Sequence, residues 1–322
     1  MAKVDVVVPC YNYGRYLEAC VGSVLNQSVS DVRVLVIDDA SSDNSALVAR
    51  KLAAGDSRVE VRVHAKNQGH INTYNEGIEW ADSDYFLLLS ADDLLLPGAF
   101  ARAVAVMDKR PDVVLTHGAE IVWYDGSPFP ELPSVTNDET WVEQHLIQEM
   151  CHRAINFVST PTAIGRTSVQ KTIGGYRTDL PHSGDMEMWL RFAAHGTVVR
   201  FAAAQGVYRR HATAMSNAYF ATLLRDYQQR KLAFDSFFNA HSDRSAEVRD
   251  LQLQADRTLA HQAFQSGIKL IRRGRFGEAV KFIRWSVQLN PQLLYSPPLS
   301  QLLKLPGPEG RRWALSVLFN RS

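Results

Sequence analysis

The chain lacks most of the features that would assign it at a glance. It has only three cysteines, Cys10, Cys20 and Cys151, and their odd number and scattered spacing argue against a disulfide framework or a cysteine metal site. A reducing compartment suits them. It lacks an excess of charge of either sign: 35 Lys and Arg against 34 Asp and Glu leave +1, so the whole chain offers no electrostatic case for nucleic acid. No apolar run approaches the ~18 residues needed to span a bilayer. Met1-Ala2-Lys3 leads at once into a strand, with no charged stretch followed by an apolar one, so no signal peptide is expected. No Gly-x-Gly-x-x-Gly follows the first strand and no Gly-x-x-x-x-Gly-Lys-Ser/Thr occurs, so neither a dinucleotide cofactor nor a P-loop is indicated. What is present is 322 residues of 46% hydrophobic and 21% charged composition, an ordinary cytoplasmic globular protein with room for two domains.

Val4 to Pro9 and Val32 to Asp39 are short, β-branched, nearly continuous apolar runs of the kind buried on both faces of a parallel sheet. Between them, over Arg15 to Gln27, Leu17, Val21, Val24 and Leu25 share a helical face. A helix is expected over Asp43 to Ala54 with Ser42 or Asp43 as its cap. A strand follows at Val59 to His64, a helix at Ile71 to Ala81, and then the strand Tyr85 to Leu89. This alternation implies an α/β fold with an open, mainly parallel sheet flanked by helices. Pro97 to Lys109 reads as a helix with Pro97 in its first turn. Val113 to Tyr124 reads as a strand, Gly126 to Asn137 as a loop, Glu139 to His152 as helical, Asp185 to His195 as a helix and Val198 to Tyr208 as a strand.

The texture changes beyond about residue 216. Gly and Pro become rare up to Leu289 and helix-forming residues dominate, which predicts a small all-α region over 216–322 after a first domain over 1–215. Ala263, Gly267, Leu270, Ala279 and Pro291 stand at the spacing of one tetratricopeptide-like helix-turn-helix, about 260–293, with Gly274 in the turn. No second copy is evident, and a plain helical pair is the alternative. Arg311 to Ser322 is basic at its start and apolar through Trp313, Leu315, Val317, Leu318 and Phe319. It is read either as a docking terminal helix or as a peripheral contact with the inner membrane face.

Chemistry concentrates where the strands end. Asp92 and Asp93 follow the apolar run Tyr85 to Leu89, and paired carboxylates after a buried strand are costly without a cation. A hard divalent cation carrying phosphates meets that need; a cap on the next helix is the alternative. In an open α/β sheet, ligands sit at the carboxyl ends of the strands. The loops Pro9-Cys10-Tyr11-Asn12-Tyr13-Gly14 and Asp38-Asp39-Ala40-Ser41-Ser42-Asp43 would therefore share a crevice with Asp92 and Asp93. Carboxylates without glycines suit a metal-bridged diphosphate and a ribose or base held by Asp hydrogen bonds.

Val6-Val7-Val8-Pro9-Cys10-Tyr11-Asn12, Val36-Ile37-Asp38-Asp39-Ala40-Ser41-Ser42-Asp43, Asn67-Gln68-Gly69 and Ser90-Ala91-Asp92-Asp93 resemble, in order and separation, the motif series of family 2 glycosyltransferases, which use the GT-A fold. The resemblance covers roughly residues 3 to 215. It implies an inverting, metal-dependent transfer of sugar from a UDP- or dTDP-type donor to a glycan or lipid-linked hydroxyl. It places Pro9, Tyr11, Asn12, Asn67 and Gly69 at the nucleotide sugar. Asp39 would accept from the base's imide nitrogen, with Asp38 holding the loop or sharing that role. One of Asp92 and Asp93 would coordinate Mn²⁺ or Mg²⁺ and the other contact the ribose. In Gly184-Asp185-Met186-Glu187-Met188-Trp189-Leu190-Arg191, Asp185 takes the position of the general base, where the alternative is a helix cap. Trp189 reads as core. Tyr208-Arg209-Arg210-His211 resembles the later loop that brings Arg210 or His211 to the diphosphate, with His211 also a metal ligand; a solvated turn is the alternative.

The chain departs from that pattern at Ser90 and Gly184, where the family often has an acid, and at Thr73-Tyr74-Asn75, where it often has Ala-Arg-Asn. The missing Arg removes an expected phosphate contact. A reading from another class is a non-catalytic nucleotide-sugar-binding scaffold whose helical tail recruits a partner; Asp185 decides between the two.

Overall fold

The computed structural model describes residues 3–131, 140–215, 223–241 and 245–295. The chain divides into two compact units, one formed by Met1–Ile147 with Asn156–Ala214 and the other by Gln148–Ile155 with Met215–Ser322. Among the described residues no helix is long and apolar enough to cross a membrane. Arg311 to Ser322 lies outside them.

The first unit is built on one sheet whose strands run β3-β2-β1-β4-β8-β6-β9-β5, with β7 also on β9. They are β1(Val4–Cys10), β2(Val32–Asp38), β3(Val59–Val63), β4(Tyr85–Leu88), β5(Leu94–Leu95), β6(Val113–Tyr124), β7(Trp141–Gln144), β8(Ile164–Arg166) and β9(Thr197–Arg210). β1 pairs in parallel with β2 and β4, and β2 with β3. β8 is antiparallel to both β4 and β6, so β6 runs with β4, and β9 runs parallel to β6. The carboxyl ends of β1, β2, β4, β6 and β9 therefore share one edge, where ligand sites of open α/β sheets form.

The helices are α1(Gly14–Leu25), α2(Ser45–Gly55), α3(His70–Trp80), α4(Ala99–Lys109), α5(Leu146–Arg153), α6(Thr167–Ile173) and α7(Gly184–Ala193). β-branched strands and the Leu17, Cys20, Val21 and Val24 face of α1 close a core that also takes Leu87, Phe100 and Met107. α3 lies close on β1 because Gly77 has no side chain: a Cβ there would come within 2.3 Å of Val7 Cγ1.

Several sequence expectations are corrected. Glu139 to His152 is not one helix; Trp141–Gln144 is an antiparallel strand on β9, and the helix starts at Leu146. Trp141 and Val142 favour a strand, and pairing with β9 outweighs the helical composition around them. α2 begins later than expected, with Asn44 at its N-cap, and Pro97 precedes α4, whose cap is Gly98. β5 and α6 had no sequence signal strong enough to name them.

In the second unit, α8(Leu223–Ala240), α9(Ala246–Arg272) and α10(Phe276–Leu289) follow. α9 and α10 form the helix pair expected near 260–293, turning at Gly274, whose φ is +73°. Gly267 lets them approach, since a Cβ there would lie 2.8 Å from Ile283 Cγ1. Nothing in the pair distinguishes a tetratricopeptide unit from an ordinary helical hairpin. Segment 148–155 belongs to this unit; Arg230 donates to the Ala154 carbonyl and Gln262 to that of Arg153, each at 2.8 Å.

At the other edge of the sheet, Asp5 is fully buried in β1. It accepts from Arg33 Nε and Nη2 at 2.8 and 2.7 Å, Ser83 Oγ at 2.6 Å, and the Asp82 and Ser83 amides at 2.7 and 2.8 Å. Burial alone would raise its pKa, but these donors outweigh it and hold the carboxyl below its ordinary 3.8. Asp5→Asn leaves donors facing donors, and chemical denaturation at neutral pH should show a loss of about 2–3 kcal/mol. The depressed group stabilises above its unfolded value and ceases to as pH falls through its folded one, so variant and wild type should converge in acid.

Candidate active site

Two loops form one wall of the crevice. Pro9 stands two residues beyond Val7, whose carbonyl takes the Leu89 amide, so its missing N–H falls where β1 has no further ladder bond to make on the β4 side. Tyr11 projects beyond the strand and is half exposed, an aromatic face open to a ligand. Asn12 and Ala40 both have positive φ, 59° and 57°. Asn tolerates this; in Ala it costs about 1 kcal/mol. The loops lock together there: Ser42 N donates to Asn12 Oδ1 at 2.8 Å, and Asn12 N donates to Ser41 Oγ at 2.9 Å. Asp43 accepts from Gly14 N at 3.1 Å and Ser45 N at 2.9 Å, so one carboxylate serves the first residues of α1 and α2. Gly14 is obligatory, because a Cβ would lie 2.8 Å from the Ser45 backbone nitrogen.

Asp38 and Asp39 are both buried at the end of β2. Asp38 Oδ2 accepts from Ser41 N at 3.1 Å, while its Oδ1 has no partner. Asp39 is held more fully. Its Oδ1 accepts from Gln68 N and meets His64 Nδ1, both at 2.7 Å, and its Oδ2 accepts from Gly69 N at 2.9 Å. Asn67 donates to the Asp39 carbonyl at 3.1 Å, and the φ of Gly69 is +83°, a conformation open to glycine at little cost. Asn67 and Gly69 thus shape the loop around Asp39. One lone-pair direction on Oδ2 remains for a ligand donor.

Asp92 and Asp93 lie in a turn between β4 and β5, well before α4, so they are not its cap. Asp92 Oδ2 meets His211 Nε2 at 3.0 Å, and His211 Nδ1 meets Thr213 Oγ1 at 2.9 Å. The ring of His211 packs against Tyr13 and Tyr16, with centroids 5.3 and 4.9 Å apart. Asp93 turns the other way. Its Oδ1 accepts the Arg209 amide at 2.9 Å, and burial followed by the neighbouring Asp92 charge raises its pKa well above the ordinary range.

Among the described residues, no group of three or more His, Cys, Asp or Glu side chains is arranged to hold a metal. The expected triad of Asp92, Asp93 and His211 is therefore reduced to the Asp92–His211 pair. That pair still fits a hard cation that arrives with phosphates, since Mg²⁺-type ions commonly take only one or two protein carboxylates.

Arg209 and Arg210 part company. Arg209 is buried, donates from Nε to the Asp92 carbonyl at 2.8 Å, and lies between the Tyr16 and Trp123 rings at 4.6 and 4.0 Å. Strand alternation puts Arg210 on the opposite face from Arg209 and His211; it is exposed, with its guanidinium 5.5 Å from the Tyr208 ring. Of the two residues expected near the diphosphate, His211 and not Arg210 therefore lies on the Asp92 side.

Asp185 is the second residue of α7, after Ser183 at the N-cap. It lies in a crowded recess, where its Oδ2 accepts from Thr160 Oγ1 at 2.9 Å. Burial raises its pKa above the ordinary carboxylate value, and Thr160, His70, His182 and Tyr176 pull the other way without cancelling it. Two residues on, buried Glu187 accepts from Arg177 and Arg191, each at 2.9 Å. Arg191 also donates to the carbonyls of Ile173 and Gly175, and Asn75 pairs with both backbone groups of Tyr176, at 2.9 and 2.7 Å. These bonds hold the Tyr176 ring beside Gly184, where a Cβ would come within 3.2 Å of Tyr176 Cδ1. The acid missing at Gly184 is replaced in space by that ring. The Arg missing at Tyr74 is replaced by an aromatic chain, with Tyr74 5.4 Å from both His70 and Tyr176. Trp189 is buried beside Phe192.

His64, Asn75, Glu187 and the burial of Arg209 could not be assigned a role from the sequence. Only His64 left a trace: Glu60, Arg62 and His64 alternate along β3, a charged face that needed partners. Glu187 pairs with Arg191 one turn on in the same helix and with Arg177, ten residues back in the preceding loop.

Comparison with known proteins agrees with this architecture. A family profile, Glycosyl transferase family 2, matches residues 5–173. An uncharacterized glycosyltransferase of Haemophilus influenzae is 26% identical over 223 residues, 67% of this chain and 68% of that one. Glycosyltransferase GlyG of Streptococcus pneumoniae is 32% identical over 152 residues, 47% of this chain and about half, 49%, of that protein. In structure, S. aureus TarS 1-349 in complex with UDP-GlcNAc superimposes with a TM-score of 0.65 at 17% identity, covering 98% of this chain and 89% of that one. Mannosyltransferase PcManGT from Pyrobaculum calidifontis, in complex with GDP-Man and Mn²⁺, gives 0.61 at 16% identity, covering 98% and 84%. The sheet, its shared edge of strand ends and the profile match agree, and the chain belongs to glycosyl transferase family 2.

Proposed function

We propose that this chain is an inverting, metal-dependent glycosyltransferase that moves a sugar from a UDP- or dTDP-type donor to a hydroxyl of a glycan or lipid-linked acceptor. The observation that carries the reading is the pairing of Asp92 with His211 beside two buried-carboxylate loops at one sheet edge. Neighbours of the same fold bind UDP-GlcNAc, or GDP-Man with Mn²⁺, which supports a nucleotide-sugar donor here.

Tyr11 stacks on the base, and the open acceptor direction of Asp39 Oδ2 takes an imide N–H. Asp92 and His211 would hold a divalent cation, which when bound neutralises charge on the leaving diphosphate. Arg209 fixes Asp92 and Asp93 by one bond to each. Asp185 takes the proton of the acceptor hydroxyl as that oxygen attacks the anomeric carbon, and its raised pKa makes it a stronger base than an ordinary aspartate. Thr160 orients the carboxylate.

Three outcomes test this. Asp185→Asn should lower transfer by at least about a thousandfold while nucleotide binding persists. Surviving transfer sinks the base assignment, and a wild type that turns over no donor at all points to a binding scaffold. The acid limb of the kcat/KM profile should lie above the ordinary carboxylate range, because the base form is lost as pH falls through a raised value; Thr160→Val, which removes a bond favouring the charged form, should shift the limb to still higher pH. A thermal-shift panel of UDP-, dTDP- and GDP-sugars should show one donor that raises Tm only with Mn²⁺ or Mg²⁺, and a metal-independent shift counts against the role of Asp92 and His211.

A further inference from the structure

We infer that His64 is a positioning residue for the nucleotide base: with a proton on each ring nitrogen it bridges Asp39 and Glu76 and holds the Asp39 side chain in place as an acceptor, so donor affinity depends on that proton. The inference rests on the role of Asp39 given under Proposed function.

The geometry is explicit. His64 Nδ1 lies 2.7 Å from Asp39 Oδ1, and Nε2 lies 2.8 Å from Glu76 Oε2. Carboxylate oxygens only accept, so both contacts are attractive only when both nitrogens carry hydrogen, which is the imidazolium. A neutral ring presents one bare lone pair to a carboxylate oxygen, and one of the two contacts must open. The side chain is 7% exposed, so water cannot readily replace the lost partner.

The groups facing the ring are Asp39 from the end of β2 and Glu76 from α3; Arg62, on β3 itself, reaches Glu76 at 3.2 Å. Burial opposes the charge, but Asp39 and Glu76 outweigh it and lift the pKa above its ordinary 6.5. Arg62 competes for Glu76, so loss of the proton releases Asp39 or Glu76 but leaves Glu76 still paired. Asp39 has the Gln68 and Gly69 amides to fall back on, which fix the loop but not the tilt that His64 imposes on the carboxylate. The consequence is read at the base and not at the diphosphate, which lies with Asp92 and His211 after other strands.

The test is isothermal titration of the full chain, with Mn²⁺, against whichever of UDP, dTDP and GDP binds best, from about pH 6.5 to 9, with inorganic pyrophosphate as a second probe. Wild-type affinity for the nucleotide should fall about tenfold toward alkaline pH, and pyrophosphate affinity should not follow it. His64→Gln, which has no titrating ring, supplies the background slope of the ligand itself and should bind weakly throughout. Glu76→Gln is the deciding variant: its amide can donate to a neutral Nε2 while Nδ1–H stays on Asp39, so its profile should flatten and its alkaline affinity exceed that of wild type. Melting temperatures of both variants separate misfolding from misplacement. If wild type and His64→Gln share one slope, or Glu76→Gln keeps the wild-type profile, the inference is overturned although Asp39 still binds the base. If Asp39→Asn binds nucleotide as tightly as wild type, the reading of Asp39 itself fails.

Discussion

Carboxyl groups buried where parallel strands end are the constraint on which this site depends. Asp38, Asp39, Asp92 and Asp93 are all buried at that edge. In such surroundings a negative charge persists only with donors or a cation beside it. The chain resolves each of them differently. Asp39 is enclosed by two amides and an imidazole, Asp93 by one amide and an interior that favours its neutral form, and Asp92 by His211 alone. Asp38 keeps an oxygen without a partner, one more buried acceptor in a loop already strained at Ala40. Asp92, by contrast, has its Oδ2 on His211.

Asp185, in the first turn of α7, obeys the same rule. A carboxyl in a crowded recess keeps a raised pKa only if its surroundings do not relax around it, and here the neighbouring backbone is held by a bonded group of side chains. Glu187, fully buried, is matched by Arg177 and Arg191, and Arg191 reaches the backbone that leads into Tyr176. Removing one member of such a group exposes the others to uncompensated charge, so it behaves as a unit.

Much of the fold was legible because the period-2 and period-3.6 patterns are strong in Val4–Cys10, Val32–Asp38 and Gly14–Leu25. β6 and the helix pair near 260–293 were equally plain. What failed were elements decided by distant partners: Trp141–Gln144 is a strand because β9 accepts it, and Ile164–Arg166 because it bridges β4 and β6. In the site, the acidic residues could be named from their order along the chain, since a motif is local. Their differences could not: nothing near Asp93 in sequence predicts the Arg209 amide, and nothing near Arg210 tells it from Arg209 except the alternation of a strand whose ends had first to be known. The family profile itself ends at residue 173, before Asp185 and His211.

The Asp92–His211 contact joins positions 119 apart in the chain, and the Asp93 bond to the Arg209 amide spans 116. Loops of that length close late and slowly, because their entropy is lost before the contact rewards it. During synthesis, the Asp39 loop and its imidazole, only 25 residues apart, can order long before the acidic pair meets its partner. The acidic pair must therefore wait, two carboxylates without their histidine or the Arg209 amide, until β9 has emerged and docked on β6. In that interval the growing chain is the form most exposed to proteolysis and misassembly, and the order in which the protein matures runs from the Asp39 loop to the Asp92–His211 contact.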